Sequence, residues 1–233
     1  MKLILFGANG ATGRLLTRAA LDAGHSAVAV TRRPDDFPFT DPQLTIAHAD
    51  VRDQVAVAEL INGADAVLST LSVPFTRHHV DTFSVGTANI TAAMHQHGVR
   101  RLVVTSSTGA DRYPGRRNAP VLFRLSEPIT KNTIGKTVYD DTRKMEDIVR
   151  TSGLDWTIVR PSILFDLAEP TNYIAGEVEP VGALTARIDL AHYLLTVTDD
   201  ETTYGKTVII STIDNAPTFW QAMRQQSFKP AQP

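Results

Sequence analysis

Short apolar runs punctuate the chain at residues 3–6, 27–30, 66–68, 102–104, 157–159 and 208–210. Each is continuous rather than alternating, the pattern of strands covered on both faces by helices. Helix-length stretches lie between them. In residues 14–23, Leu15, Leu16, Ala19, Ala20 and Ala23 return every three or four positions to one face. Gly24 supplies the stop, because glycine tolerates the left-handed backbone after a last turn. Residues 84–97 form a second such stretch and end at Gly98. The alternation of strand and helix predicts an α/β fold with a doubly wound parallel sheet and right-handed crossovers.

No stretch rich in proline, glycine or serine divides the chain. Residues 1–215 are therefore expected to form a single domain, and residues 216–233 a tail with a turn or two around Phe219 and Trp220 before a frayed end. Two segments break the rhythm. Residues 111–135 carry turn residues and basic side chains around Val121, Leu122 and Phe123 and are expected to form a loop with a short helix, and residues 166–185 contain Pro170, Gly176, Pro180 and Gly182. Long irregular segments in a compact domain commonly cover a site, so both are expected to wall a ligand pocket.

The strongest local feature is the run Gly7-Ala8-Asn9-Gly10-Ala11-Thr12-Gly13, which follows the first strand and opens the first helix. Gly7 permits a tight turn, Gly10 lets backbone approach a pyrophosphate, and Gly13 lets helix and sheet pack closely. The helix start adds unpaired N–H groups and partial positive charge, so strand, triplet and helix in this order predict a Rossmann-type dinucleotide site. The second strand ends in Thr31-Arg32-Arg33, where a carboxylate would bind the ribose hydroxyls of NAD. Two guanidiniums suit a 2′-phosphate, so NADPH is expected rather than NADH. Asp35 and Asp36 serve NAD only if the loop folds back. Asp50 and Val51 follow the third strand, where a carboxylate can accept from an adenine amino group or cap a helix. Leu71 and Ser72 follow the fourth strand at the same carboxyl edge.

Composition narrows the partners. A net charge of −2 and a pI near 6.4 give no drive toward nucleic acid or anionic lipid. Arg100-Arg101 and Arg116-Arg117 lack interleaved aromatic residues and read as surface charge. The absence of cysteine excludes disulfides and thiolate chemistry and fits a reducing compartment. The first apolar run is far too short to span a membrane and has no signal-peptide flank. These features predict a cytoplasmic monomer or homodimer acting on a small molecule. His95 and His97, two apart on a helix, face different sides, so no metal site is expected.

Beyond the glycine turn and Asp50-Val51, the helix from Gly86 to Met94, the run Thr105-Ser106-Ser107, the segments 138–145 and 152–161, and Ile188-Asp189-Leu190-Ala191 resemble the atypical short-chain dehydrogenase/reductases. Within that family the chain is most similar to the NADPH-dependent flavin reductases, or biliverdin-IXβ reductases. The resemblance spans residues 2–211. It implies a pyrophosphate turn at Gly7, Gly10, Thr12 and Gly13, a 2′-phosphate arginine at Arg32, an adenine-side acid at Asp50, an active-site serine at Ser107 and a pocket-shaping proline at Pro161. Ile163 stands where those reductases carry a histidine, which speaks against tetrapyrrole reduction.

Typical members of the superfamily use a tyrosine with a lysine four positions on, the cation lowering the phenol's pKa. Here Tyr139 has Arg143 at that spacing and Lys144 one step further, rotated by about 100°. Tyr139 and Lys144 are thus candidates for proton chemistry, with Tyr139 more naturally a pocket wall. Hydride transfer to a planar conjugated acceptor such as flavin or quinone needs stacking and little else, and Ser107 can supply a proton. The alternatives are an NADP(H)-binding redox sensor without turnover, and a carbonyl reductase or sugar-nucleotide enzyme using Tyr139.

Overall fold

Alternate residues of the apolar runs separate to opposite faces of one sheet. Ile4, Phe6, Val28, Val30, Val67, Leu102, Val104 and Ile158 pack on one side, and Leu3, Leu5, Ala27, Ala29, Leu68, Val103, Val159, Val208 and Ile210 on the other. A run buried on both faces has no polar register, which is why the strands read as continuous. The computed structural model describes residues 1–111, 113, 118–133, 135–217 and 221. Its elements are β1 (Lys2–Phe6), α1 (Ala11–Asp22), β2 (Ser26–Thr31), β3 (Leu44–His48), α2 (Gln54–Ile61), β4 (Ala66–Ser69), α3 (Thr82–His97), β5 (Arg101–Thr105), α4 (Val121–Asn132), α5 (Lys136–Thr151), β6 (Asp155–Pro161), β7 (Ile163–Phe165), β8 (Tyr173–Gly176), β9 (Leu184–Ala186), α6 (Arg187–Thr196) and β10 (Lys206–Thr212).

The main sheet runs β3-β2-β1-β4-β5-β6-β10-β8. Strand order reverses between β1 and β4, and such a switch point opens a crevice at the carboxyl ends of the strands. Helices α2, α3 and α5 cover one face through residues such as Val57, Ile90, Met94, Met145 and Val149. The other face is covered by α1 and α6 through Leu16, Ala20, Leu190 and Leu194. The expected stops hold: Gly24 and Gly98 both adopt positive φ, at 81° and 69°.

Several expectations need correction. The sheet is not wholly parallel, because β8 pairs antiparallel with β10. Residues 166–185 therefore contain a strand between their turn residues, and they continue into β9, which pairs with β7. Residues 111–135 do contain the expected helix, α4, which runs for twelve residues with Pro128 inside it. Arg101 is not surface charge. It is buried at the start of β5, where it donates to the carbonyls of Thr198 at 3.0 Å and Asp155 at 2.7 Å and to the Thr157 hydroxyl at 2.8 Å. Burial pushes its guanidinium down to about 10. Arg100 does lie at the surface, paired with Asp155 at 2.9 Å. Arg116, Arg117, Phe219 and Trp220 lie outside the described residues. Among the described residues no helix is long and apolar enough to cross a membrane, and no group of His, Cys, Asp or Glu is arranged to hold a metal.

Candidate functional site

The glycine turn shows which of its glycines the chain itself needs. Gly7 has φ 76°, and a β-carbon there would lie 2.7 Å from the backbone carbonyl of Thr70. At Gly13 it would lie 2.2 Å from the Gly7 carbonyl oxygen. Both close approaches are backbone on backbone, so side chains are excluded by the fold alone. Gly10 differs. Its φ is an ordinary −73°, and a β-carbon would meet only the Gly7 oxygen, at 3.2 Å. Gly10 precedes α1, makes no side-chain cap, and lines open space on two sides. A bare helix start facing a crevice fits a phosphate.

Two cavities meet at this turn and share Gly10, Thr70, Leu71 and Ser72. The first, about 260 Å³, extends over β2 and β3 and is lined by Asn9, Arg32, Arg33, Asp50, Val51 and Arg52 among others. Asn9 is held by Arg14, whose Nε donates to Oδ1 at 2.9 Å. Arg33 is tied to Asp36 at 3.3 Å, whereas Arg32 is exposed and has no ion pair among the described residues. Neither Asp35 nor Asp36 lines the cavity, so the loop does not fold back. Asp50 accepts the Arg52 N–H at 2.9 Å, and the N-cap of α2 is Asp53, which accepts from Val55 and Ala56 at 3.1 Å. Val51 is fixed from α3: Asn89 donates to its carbonyl at 3.0 Å, and Gly86 leaves room for its side chain, which a β-carbon would meet at 2.8 Å.

The second cavity, about 350 Å³, continues over β4, β5 and β6. Its lining includes Ala11, Thr12, Thr105, Ser106, Ser107, Tyr139, Pro161 and Ser162. Ser107 Oγ accepts the Gly109 N–H at 3.0 Å, which leaves the hydroxyl proton for a guest in the cavity. The Tyr139 ring lies against Gly109 and Gly135, where added β-carbons would come within 2.1 and 2.9 Å of ring carbons, and it leans on Phe75 at 5.6 Å between centroids. Tyr139 therefore forms a wall. Arg143, one turn on, is engaged with Asp140 at 2.5 Å and reaches the Ala110 carbonyl at 3.5 Å. Lys144 is exposed and lines neither cavity.

Beneath the serines lies a buried charge network. Ser106 Oγ donates to Glu146 Oε1 at 2.5 Å, and Arg160 grips the same carboxylate through Nε at 2.8 Å and Nη2 at 2.5 Å. Arg150 adds a contact at 2.8 Å. The far side of Arg160 holds Asp111 at 3.0 Å and the Tyr113 hydroxyl at 2.6 Å. Glu146 and Arg160 are 1% and 5% exposed. Burial alone would push the Glu146 carboxyl up, but the hydrogen bonds and charge of Arg160, with Ser106 and Arg150, hold it below its ordinary value. With Glu146 ionised, the Ser106 proton is committed inward. Asp141, also buried on α5, accepts from the Phe83 N–H at 2.8 Å and from the Ser84 hydroxyl. It caps α3 from outside, because Asp81 makes no cap bond and pairs instead with Arg52 at 2.6 Å.

A family model described as NAD(P)H-binding matches residues 7–201. The chain belongs to this NAD(P)H-binding family. Two curated relatives are an uncharacterised protein of Mycobacterium tuberculosis, 38% identical over 108 residues, and cinnamoyl-CoA reductase 1 of Petunia hybrida, 28% identical over 222 residues. The matched parts are 46% of this chain and 12% of the first protein, and 87% and 62% for the second. The chain thus spans only a fraction of the length of these relatives. Two solved structures share the fold. One is a short-chain dehydrogenase/reductase of Veillonella parvula in complex with NADP, with TM-score 0.76, 17% identity, and 94% and 99% of the two chains covered. The other is an anaerobilin reductase of Escherichia coli O157:H7, with TM-score 0.74, 20% identity, and coverage of 93% and 100%.

For a member of the NAD(P)H-binding family, the bare start of α1 beside Gly10 is a fitting cradle for a dinucleotide. The crevice brings together Gly7, Asn9, Gly10, Ala11, Thr12, Arg32, Arg33, Asp50, Val51, Leu71, Ser72, Thr105, Ser106, Ser107, Tyr139 and Pro161, while Gly13 supports it from behind. Lys144 stands apart. Among the described residues of 111–135 and 166–185, none lines either cavity. The wall comes instead from Val73 and Phe75 after β4 and from Val138, Tyr139 and Thr142 on α5. Segment 166–185 is drawn away by β10, and Asp111 and Tyr113 by Arg160. Sequence reasoning missed Arg52, Glu146, Arg160 and Arg187. Arg160 carried a signal, because an arginine inside an apolar strand needs a carboxylate within reach.

Proposed function

We propose that the protein is an NADPH-dependent oxidoreductase that passes hydride to a planar conjugated acceptor of the flavin or quinone class. The observation that carries this reading is the continuity of the two cavities. They join at Gly10, Thr70, Leu71 and Ser72, so that one groove runs from Arg32 past Gly10 to Ser107, Tyr139 and Ser162. Two of the similar proteins are named as reductases, which agrees with it.

When bound, NADPH supplies the hydride. The chain's own residues position and exclude. Arg32 provides a guanidinium for a 2′-phosphate, and the start of α1 provides N–H groups for the pyrophosphate. Ser106, its proton committed to Glu146, presents an acceptor oxygen, and Ser107 presents a donor. Tyr139 and Phe75 supply flat apolar surface against which a conjugated ring can stack. Of the two cations that follow Tyr139 on α5, Lys144 is exposed and lines neither cavity, and Arg143 is held by Asp140.

Steady NADPH oxidation is expected with FMN, riboflavin or a simple quinone. Tight cofactor binding without turnover across that panel would instead identify a sensor. Tyr139→Phe is expected to keep turnover within a few-fold of the parent, since the ring remains, and its near-complete loss would restore the tyrosine-acid mechanism. Arg32→Ala is expected to weaken NADPH by roughly 10- to 100-fold, the worth of a charge-assisted hydrogen bond. NADH should be nearly unaffected. Equal weakening of both, measured by fluorescence titration, removes the assignment of Arg32 to the 2′-phosphate.

A further inference from the structure

The two cavities differ in charge. The first is lined by three arginines and one aspartate, the composition of a phosphate and adenine site. Among the described residues the second is lined almost wholly by neutral side chains, with a single ionised one, Arg187, at the end furthest in sequence from the glycine turn. No carboxylate of the described residues lines it. Arg187 opens α6, beside Leu164 of β7, and its side chain is only 18% exposed. A cation that far withdrawn from water has a reason to be there or a cost to bear.

Among the described residues its one bond is from Nη1 to Asp166 Oδ1, at 2.8 Å. Nε and Nη2 have no partner among the described residues, and that edge of a guanidinium is the one that meets two oxygens of an oxyanion side by side. Asp166 does not itself line the cavity and is half exposed, so it steadies the guanidinium from the solvent side without closing the other edge. The uncapped start of α6 adds partial positive charge of the same sign. Asp189 in that first turn does not oppose it at the cavity: it is fully buried and accepts from Thr171 and Thr212.

From this arrangement we infer that the acceptor carries an anionic group, a phosphate, sulfonate or carboxylate, and that Arg187 binds it and so sets substrate choice. The inference rests on the reading of the second cavity as the acceptor site. It makes the preferred acceptor a conjugated ring with an acidic substituent, the ring lying between Tyr139 and the serines and the anion reaching toward β7.

The test is equilibrium binding to the full chain saturated with NADP. It uses two pairs of probes that share a ring and differ in charge: FMN against riboflavin, and 1,4-naphthoquinone-2-sulfonate against 1,4-naphthoquinone. The anionic member of each pair is expected to bind at least ~10-fold tighter, and Arg187→Gln should erase that preference while leaving the neutral members within about two-fold. Asp166→Asn, which keeps Arg187 in place and removes the neighbouring negative charge, should widen the preference.

Equal binding of the paired probes by the parent protein overturns the inference, as does an equal loss for both in Arg187→Gln. So does a weakening of NADP itself in that variant, which would assign the guanidinium to the cofactor phosphates. A charge preference without turnover of any probe leaves the anion site standing and sinks the oxidoreductase reading, so the two failures are separable.

Discussion

Glu146→Ala is expected to lower the free energy of unfolding by about 3–5 kcal/mol, the usual consequence of stranding one charge of a buried pair. For a chain of this size that is a fall in melting temperature of roughly 6–20 °C. The guanidinium of Arg160, 5% exposed, loses a two-pronged partner, and the Ser106 hydroxyl loses its acceptor. Removing both charges together, as Glu146→Met with Arg160→Met, should recover much of the stability, because an apolar pair of similar volume carries no desolvation cost. Acceptor turnover should not recover with it, since Ser106 is left unfixed at the cavity. A double variant that regained both would show that the network serves packing alone.

The pair also sets an acid limit. The Glu146 carboxyl is held below its ordinary value of 4.5, so its contribution is complete above that pH. It is lost as pH falls through the depressed folded value, where the unfolded chain takes up the proton first. Glu146→Gln should therefore be less stable at neutral pH and lose less on acidification below about 4.5. Chemical denaturation at a series of pH values reads this directly, and parallel curves for parent and variant would contradict it.

Gly10→Ala and Gly13→Ala are expected to fail in opposite ways. In Gly13→Ala the new methyl meets the Gly7 carbonyl oxygen at 2.2 Å and Ala8 backbone at 2.7 Å, and neither can move without opening the turn. Destabilisation of about 1–3 kcal/mol or more follows, as for other overpacked sites. Gly10→Ala meets only one atom, at 3.2 Å, in a backbone conformation any residue adopts. Its fold should survive almost intact while NADPH affinity falls by at least ~10-fold, because the methyl occupies the approach to the helix start. Unchanged affinity in Gly10→Ala would move the phosphates away from this turn.

The six central strands and the first crossover were legible because burial on both faces leaves an unbroken apolar run, and because Gly24 and Gly98 end helices in the one conformation they favour. The groove was legible in part for a related reason: the turn, the end of β2 and the end of β4 each adjoin one of those runs, whereas β3, with none of its residues buried, shows no such run. The charge network beneath it was not. Asp141, Glu146 and Arg150 sit in a helix so rich in charge that it reads as a solvated face. Yet the inward stripe of α5, Val138, Thr142, Met145 and Val149, contains Asp141 and Glu146 as well. Carboxylates on the apolar stripe of a helix, opposite an arginine inside an apolar strand, mark a buried pair that neither segment reveals alone. β8 was hidden for a different reason. Four half-buried residues bounded by glycine and proline have no pattern of their own, and their partner is a strand thirty residues later.

The threonines that anchor the acceptor side have a bearing on how the protein comes into being. Thr185 accepts from the Ser162 N–H and donates to the Ile210 carbonyl, and Thr212 takes the Ala186 N–H and donates to Asp189. The loop leading to Arg187 is thus fastened by β10, which leaves the ribosome after β1 to β9, whereas the groove between Arg32 and Gly10 is built from the ends of the first four strands. A growing chain therefore completes the means of holding a nucleotide well before the means of choosing what that nucleotide will react with.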